Sequence, residues 1–231
     1  MDQLHDHHIK IISNFIFKTE AEQADMDFTD IPDQEVESYL NSLIEHGYLL
    51  INDDKKFSLT SKGKDVAGRL DFETSKIEKQ PKTVMAAICR KNENGVEKFL
   101  MHIRKEHPYY DFLGFPTGTA KFGNVMETDV VRELEEEAGL RGTPLLKEIK
   151  HMLVRTRDTG EVMDDVMMYS FEIINVEGEL IESTPEGENK WMTIEEIRGF
   201  DKVMQNTWDT IEAMKRHGVV FSEEIQEYDS L

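Results

Sequence analysis

Apolar residues recur at two periods along this chain, and the switches between them divide it into elements. From Ile9 the apolar positions Ile12, Phe15 and Ile16 keep helical spacing, which predicts a helix reaching about Gln23. Phe28 to Ile31 reads as a second, very short helix or turn. Beyond Pro32, which suits a first helical position, Val36, Tyr39, Leu40, Leu43 and Ile44 mark a third helix that Gly47 ends. Two short strands, residues 48–51 and 56–59, flank the turn Asn52-Asp53-Asp54-Lys55, and Thr60-Ser61-Lys62-Gly63-Lys64 opens a last helix to about Leu70. The polar stretch that follows, ending Gln80-Pro81-Lys82, reads as a linker. These signals predict a small domain at 1–75, a linker at 76–82 and a larger domain at 83–231.

In the larger part the period switches to two. Residues 83–90 and 97–104 read as strands joined by Asn92-Glu93-Asn94-Gly95. An aromatic loop, 107–112, precedes a helix predicted from Val125 to Ala138. Strands at 145–157 and 165–176 flank Asp158-Thr159-Gly160. The loop Ser183-Thr184-Pro185-Glu186-Gly187-Glu188 leads to a strand at Trp191, a helical turn lies near Ile197, and a final helix spans 203–215. The acidic tail from Ser222, like the His- and Asp-rich start that includes Asp2, His5, Asp6, His7 and His8, is expected to be mobile.

The helix at 125–138 carries the chemistry. At about 100° per residue, Met126, Val130, Val131, Leu134 and Ala138 share one side, and Asp129, Glu133, Glu136 and Glu137 lie together beside it. Glu133, Glu136 and Glu137 stand at i, i+3 and i+4, so their side chains can converge. Like charges so spaced weaken a helix unless a cation joins them, and hard divalent ions take oxygen ligands together with substrate phosphates. Alone, such a run is as readily a solvated acidic face.

The full pattern, Gly118, Asn124, then Arg132-Glu133-Leu134-Glu135-Glu136-Glu137-Ala138-Gly139-Leu140, resembles the signature of the Nudix hydrolase family, with Gly114-Phe115-Pro116 leading into it. The resemblance covers roughly residues 82 to 220. Only Asn124 departs from the signature, which has Glu there. The resemblance implies an α/β (α+β) domain whose mixed sheet is flanked by helices. It implies Mg²⁺, or Mn²⁺, held by Glu133, Glu136, Glu137, the Thr117 backbone carbonyl and a loop carboxylate, Glu186 or alternatively Glu188. Arg132 would orient Glu133, and Glu133 and Glu136 would serve the attack of water on a diphosphate linkage. Arg104 is the substrate contact it suggests, a surface salt bridge being the equal alternative. Apart from the resemblance, Arg155 and Arg157 share a strand face and are candidate phosphate contacts, Tyr109, Tyr110 and Phe112 could stack on a base or simply pack, and Asp164-Asp165 could approach the ion or simply open a strand. Asn124 carries no charge for Arg132 to pair with, so retuned activity is expected. The residues that mark substrate in some Nudix groups are absent, with Thr156 and Asp158 in their places. A nucleotide derivative is the partner implied, and Nudix domains are often homodimeric.

The first 75 residues resemble a winged helix-turn-helix domain, a class that often reads DNA through its third helix. Here that helix carries Asp33, Glu35, Glu37 and Glu45 and no Lys or Arg, and residues 1–75 hold seven basic against sixteen acidic side chains. Phosphate contacts need Lys and Arg, so protein contact or self-association is expected in place of nucleic-acid binding. A nucleotide-sensing regulator with weakened catalysis is the alternative.

Composition narrows this further. The net charge of −20 over 231 residues disfavours nucleic-acid backbone and anionic membrane as partners. With 39% hydrophobic and 32% charged residues, the chain is globular. It has no apolar run of about 18 residues and no signal-like start, so a cytoplasmic location is the default expectation. Cys89, the single cysteine, lies in an apolar run and reads as a buried thiol.

Overall fold

The computed structural model describes residues 4–71, 74 and 76–229. Asp2, residues 72, 73 and 75 of the expected small domain, and the last two residues of the tail lie outside them. The chain forms two compact units, Met1–Lys79 and Gln80–Leu231.

In the first unit, α1 (Asp6–Ser13) is followed by a single 3-10 turn (Gln23–Asp25), α2 (Asp33–Glu45), the hairpin β1 (Leu49–Ile51) and β2 (Phe57–Leu59), α3 (Ser61–Ala67), and a small antiparallel pair, β3 (Leu70–Asp71) with β4 (Lys76–Ile77). Ile11, Ile12, Leu40, Leu43 and Leu49 form its core. The first helix is shorter than its apolar pattern suggests because Asn14 competes for the backbone. Its Nδ2 donates to the Lys10 and Ile11 carbonyls, and its Oδ1 accepts from Asp27 N at 2.6 Å. The described part of the His-rich start is ordered. His5 caps α1, its Nδ1 accepting from His7 N, while His8 Nδ1 accepts from His5 N. A bridge between Ala21 and Phe57 adds a third edge to the hairpin.

The second unit is built on nine strands: β5 (Lys82–Glu93), β6 (Val96–Arg104), β7 (Leu113–Gly114), β8 (Thr117–Thr119), β9 (Leu140–Thr156), β10 (Val162–Gly178), β11 (Ser183–Thr184), β12 (Gly187–Thr193) and β13 (Val220–Tyr228). The sheet runs β11-β12-β6-β5-β10-β9-β13, with β7 on β6 and β8 on β5. It is mixed, β10 lying parallel to β5 and β13 parallel to β9. Helix α4 (Met126–Ala138) covers one face, and α5 (Ile194–Arg198) and α6 (Thr207–Met214) cover the other. This is the mixed sheet flanked by helices that the sequence implies. Strand alternation sets the layers. Met85, Ala87 and Cys89 of β5 face the α4 side, Ala86 and Ile88 the α5–α6 side. Cys89 is buried, and burial pushes its thiol pKa up to about 12, in keeping with a structural thiol.

Two expectations fail here. The tail is not mobile over 220–228: it forms β13, with Gln226 and Tyr228 buried. The acids that made it look solvated have partners on β9. Glu224 lies 3.7 Å from Lys150, and Glu223 accepts from His151 at 3.0 Å. The last helix starts four residues late because Val203 bridges to Leu113, with the Leu113 N–H donating to the Lys202 carbonyl at 2.7 Å. No helix among the described residues is long and apolar enough to cross a membrane.

Candidate active site

Helix α4 packs on the sheet through Val130, Leu134 and Ala138, each at most 2% exposed. Burying Leu134 alone is worth about 2 kcal/mol. The helix ends at Gly139, whose φ of 69° lies in the left-handed region that glycine enters without a Cβ penalty. With the apolar stripe pinned, the neighbouring acidic stripe is directed toward β8 and the loop around it.

Strand β8 pairs with β5, placing Gly118 opposite Met85. Gly118 lies hard against α4, where a Cβ would sit 2.7 Å from Glu133 Cγ and 3.0 Å from Cδ. Only a residue without a side chain lets strand and helix approach so closely. Above this contact a cavity of about 340 Å³ opens. Glu133, Glu137, Glu186, Arg104 and Thr117 all line it, so the fold collects residues from α4, the β11–β12 turn, β6 and β8 in one place.

The electrostatics are uneven. Burial, then the nearby charges of Glu186 and Glu133, push Glu137 up to about 8, with Arg104 opposing. Glu133 accepts from Arg132 Nη2 at 2.5 Å and lies 3.3 Å from Lys121 Nζ. Arg132 also donates from Nη1 to Glu136 at 2.7 Å and from Nε and Nη2 to Asp129 at 3.1 and 2.9 Å. Glu136 is exposed and does not line the cavity. Arg104 donates to Glu106 Oε1 at 2.6 Å and to the Pro108 carbonyl at 3.3 Å.

Other residues named from the sequence fall elsewhere. Met152 and Val154 of β9 line the cavity, whereas Arg155 and Arg157 do not, Arg157 pairing with Asp229 at 3.0 Å. Phe112 packs edge-on against Tyr109 and Tyr228, and it is Tyr109 that reaches the cavity. Glu188 lies 3.9 Å from Lys105. Asp164 lines the cavity, paired with Lys82 at 2.8 Å, while Asp165 accepts from His151 at 2.9 Å.

Sequence reasoning missed the floor. Met152, Met168 and Met204 make it apolar, with three buried polar side chains among them. Thr207 Oγ1 is buried without a partner. Asn206 Nδ2 donates to the Met168 sulfur, a weak acceptor, at 3.6 Å. Gln226 Nε2 lies 3.4 Å from the Met152 sulfur and also contacts Glu224.

Among the described residues, no three His, Cys, Asp or Glu side chains are already gathered as a metal cage. The donor set nonetheless fits a hard dication. It is all oxygen, and burial together with the charges of Glu186 and Glu133, which push Glu137 up, is the penalty such an ion would offset.

The NUDIX domain family model matches residues 79–214, more than half of the chain. No curated protein matches. Among solved structures, the MutT protein from Bacillus halodurans aligns at 21% identity and a TM-score of 0.53, covering 65% of this chain and 93% of that one. A NUDIX hydrolase from Nitrosomonas europaea aligns at 20% identity and TM-score 0.45, over 59% and 89% of the two chains. The NUDIX domain of Shewanella oneidensis NrtR, solved with ADP ribose, aligns at 14% and 0.49, over 68% and 97%. At these identities the likeness is one of fold.

Proposed function

Because this chain belongs to the Nudix family, we propose that it hydrolyses the diphosphate linkage of a nucleoside diphosphate derivative in a Mg²⁺- or Mn²⁺-dependent reaction. The observation that carries the reading is the shared cavity of Glu133, Glu137 and Glu186, with Glu137 pushed up to about 8. Those three carboxylates and the Thr117 carbonyl would hold the ion, and Glu136 would join them only by giving up its bond to Arg132. Bound there, the ion supplies Lewis acidity, an activated water and a template for the phosphates. Arg104 faces the same space and offsets phosphate charge that the chain's own −20 would repel. The methionine floor takes the flat, apolar body of the nucleoside, and Asn206 and Thr207 offer polar groups whose present partners are weak or lacking, beside Gln226, which is held by Glu224 and Tyr228.

A panel of nucleoside triphosphates, sugar nucleotides, ADP-ribose and dinucleoside polyphosphates, each with Mg²⁺ and Mn²⁺, tests this directly. No turnover above background on any of them overturns it. With the best substrate, Asn206→Leu is expected to raise KM about tenfold while kcat stays close to native, since a lost polar contact to a ligand costs roughly 1–2 kcal/mol. An unchanged KM removes the floor from the binding site.

The N-terminal unit we assign to protein contact or self-association. The helix order, the hairpin and the Ala21–Phe57 bridge support a winged-helix-like arrangement. Its α2 exposes Asp33, Glu37 and Glu45, the wrong sign for phosphate. In a gel shift at low salt, no band of retarded duplex DNA is expected; sequence-specific retardation would favour the nucleotide-sensing regulator instead.

A further inference from the structure

We propose that Asp129 is the residue that positions Arg132, and through it Glu133, taking over the charge that the Nudix signature places at position 124. The proposal rests on the catalytic reading above and adds a residue to it. Asp129 stands one helical turn before Glu133 on α4 and is only 2% exposed. A carboxylate so buried survives only with partners. It has four donors: Arg132 Nε and Nη2 and Asn124 Nδ2 on Oδ1, at 3.1, 2.9 and 2.9 Å, and the Lys121 backbone N–H on Oδ2 at 3.3 Å. Arg132 first, then Asn124, hold it well below the usual carboxylate range, so it is an ionised, acceptor-only group.

That fixes what can stand at 124. An ionised Asp129 accepts from a neutral amide and repels a carboxylate, so Asn at 124 and Asp at 129 form a matched pair. Glu at 124 would set a second negative charge against the one already filling the Arg132 fork. The guanidinium, held from behind by Asp129, presents Nη2 to Glu133 and Nη1 to Glu136. The missing charge at 124 has therefore moved five residues along the chain, and the orientation of Glu133 is preserved.

The test is a cycle of four chains: native, Asn124→Glu, Asp129→Ala and Asn124→Glu/Asp129→Ala, with Asp129→Asn as the isosteric check. Each is read by its melting curve, by Mn²⁺ titration followed by electron paramagnetic resonance, and by kcat and KM. Loss of a residue that orients a metal ligand typically lowers affinity or activity about 10- to 100-fold. Asp129→Ala and Asp129→Asn are expected to weaken Mn²⁺ binding and lower kcat by that factor, with KM little changed. Asn124→Glu should be neutral or harmful in the native chain, yet restore Mn²⁺ affinity in the Asp129→Ala chain. That reversal of sign is something a purely structural role would not produce. Equal Mn²⁺ affinity in all the chains overturns the proposal, and so does an Asn124→Glu/Asp129→Ala chain no better than Asp129→Ala, whether through weak binding or failure to fold. If the native chain binds Mn²⁺ but turns nothing over, the hydrolase reading fails while the titration still decides the role of Asp129.

Discussion

Glu137→Gln is expected to lower kcat/KM about a thousandfold, roughly 4 kcal/mol of transition-state stabilisation, while making the metal-free protein more stable at alkaline pH. Both effects come from one group. Burial and the charges of Glu186 and Glu133 push Glu137 up to about 8 in the folded chain, above the ordinary carboxyl range it returns to on unfolding. A carboxyl raised in this way adds stability below its unfolded pKa. That stability declines as pH rises and is gone once pH passes the folded value near 8. In EDTA the native protein should therefore melt lower at pH 8.5 than at pH 6, and Glu137→Gln should flatten that slope. A divalent ion must displace the same proton, so its affinity should tighten up to about tenfold per pH unit below 8 and level off above it. Melts at the two pH values, with and without EDTA, and a titration at each read all of this. A variant matching the native protein in turnover and in pH slope would remove Glu137 from the site.

How far the sequence reaches is visible residue by residue. Helix α4 is legible because its information is local: Val130, Leu134 and Ala138 repeat at the helical period, Gly139 stops the run, and Glu133 and Glu137 follow by geometry, whereas Glu136, on the same arc, pairs with Arg132 outside the cavity. The hairpin at Asn94–Gly95 is local too. What depends on strands meeting far along the chain is not legible. Strand β13 looks like a solvated acidic tail until Lys150 and His151 of β9 are set beside Glu224 and Glu223. Gln226 enters the cavity floor only through that parallel pairing. Arg155 shows the same limit from the other side. Its strand is legible from the sequence, but a one-residue difference in parity separates it from Met152 and Val154, and its Nε is buried without a hydrogen-bond partner among the described residues. Asp129 was visible within the acidic arc, yet its partnership with Arg132 and Asn124 depends on side-chain placement that spacing does not specify.

Gly118→Ala should lower kcat about 100-fold with only a small change in melting temperature, because the added methyl strikes a ligand and not the core. The new Cβ would lie 2.7 Å from Glu133 Cγ and 3.0 Å from Cδ. Strand β8 cannot yield easily, since Gly118 is paired with Met85 in the sheet. Glu133 must give way, turning its carboxylate from the cavity and from Arg132, and a misplacement of about 1 Å at a reacting centre can cost on the order of a hundredfold. If that is the cause, the two sites are coupled and their effects cannot add. In a Glu133→Ala chain, where Cγ and Cδ are gone, Gly118→Ala should cost far less, because the only contact left is Cβ at 3.2 Å, which a small shift relieves. Measuring kcat for the two single variants and the double variant closes the cycle. Losses that multiply would mean that the glycine serves the strand and leaves Glu133 undisturbed.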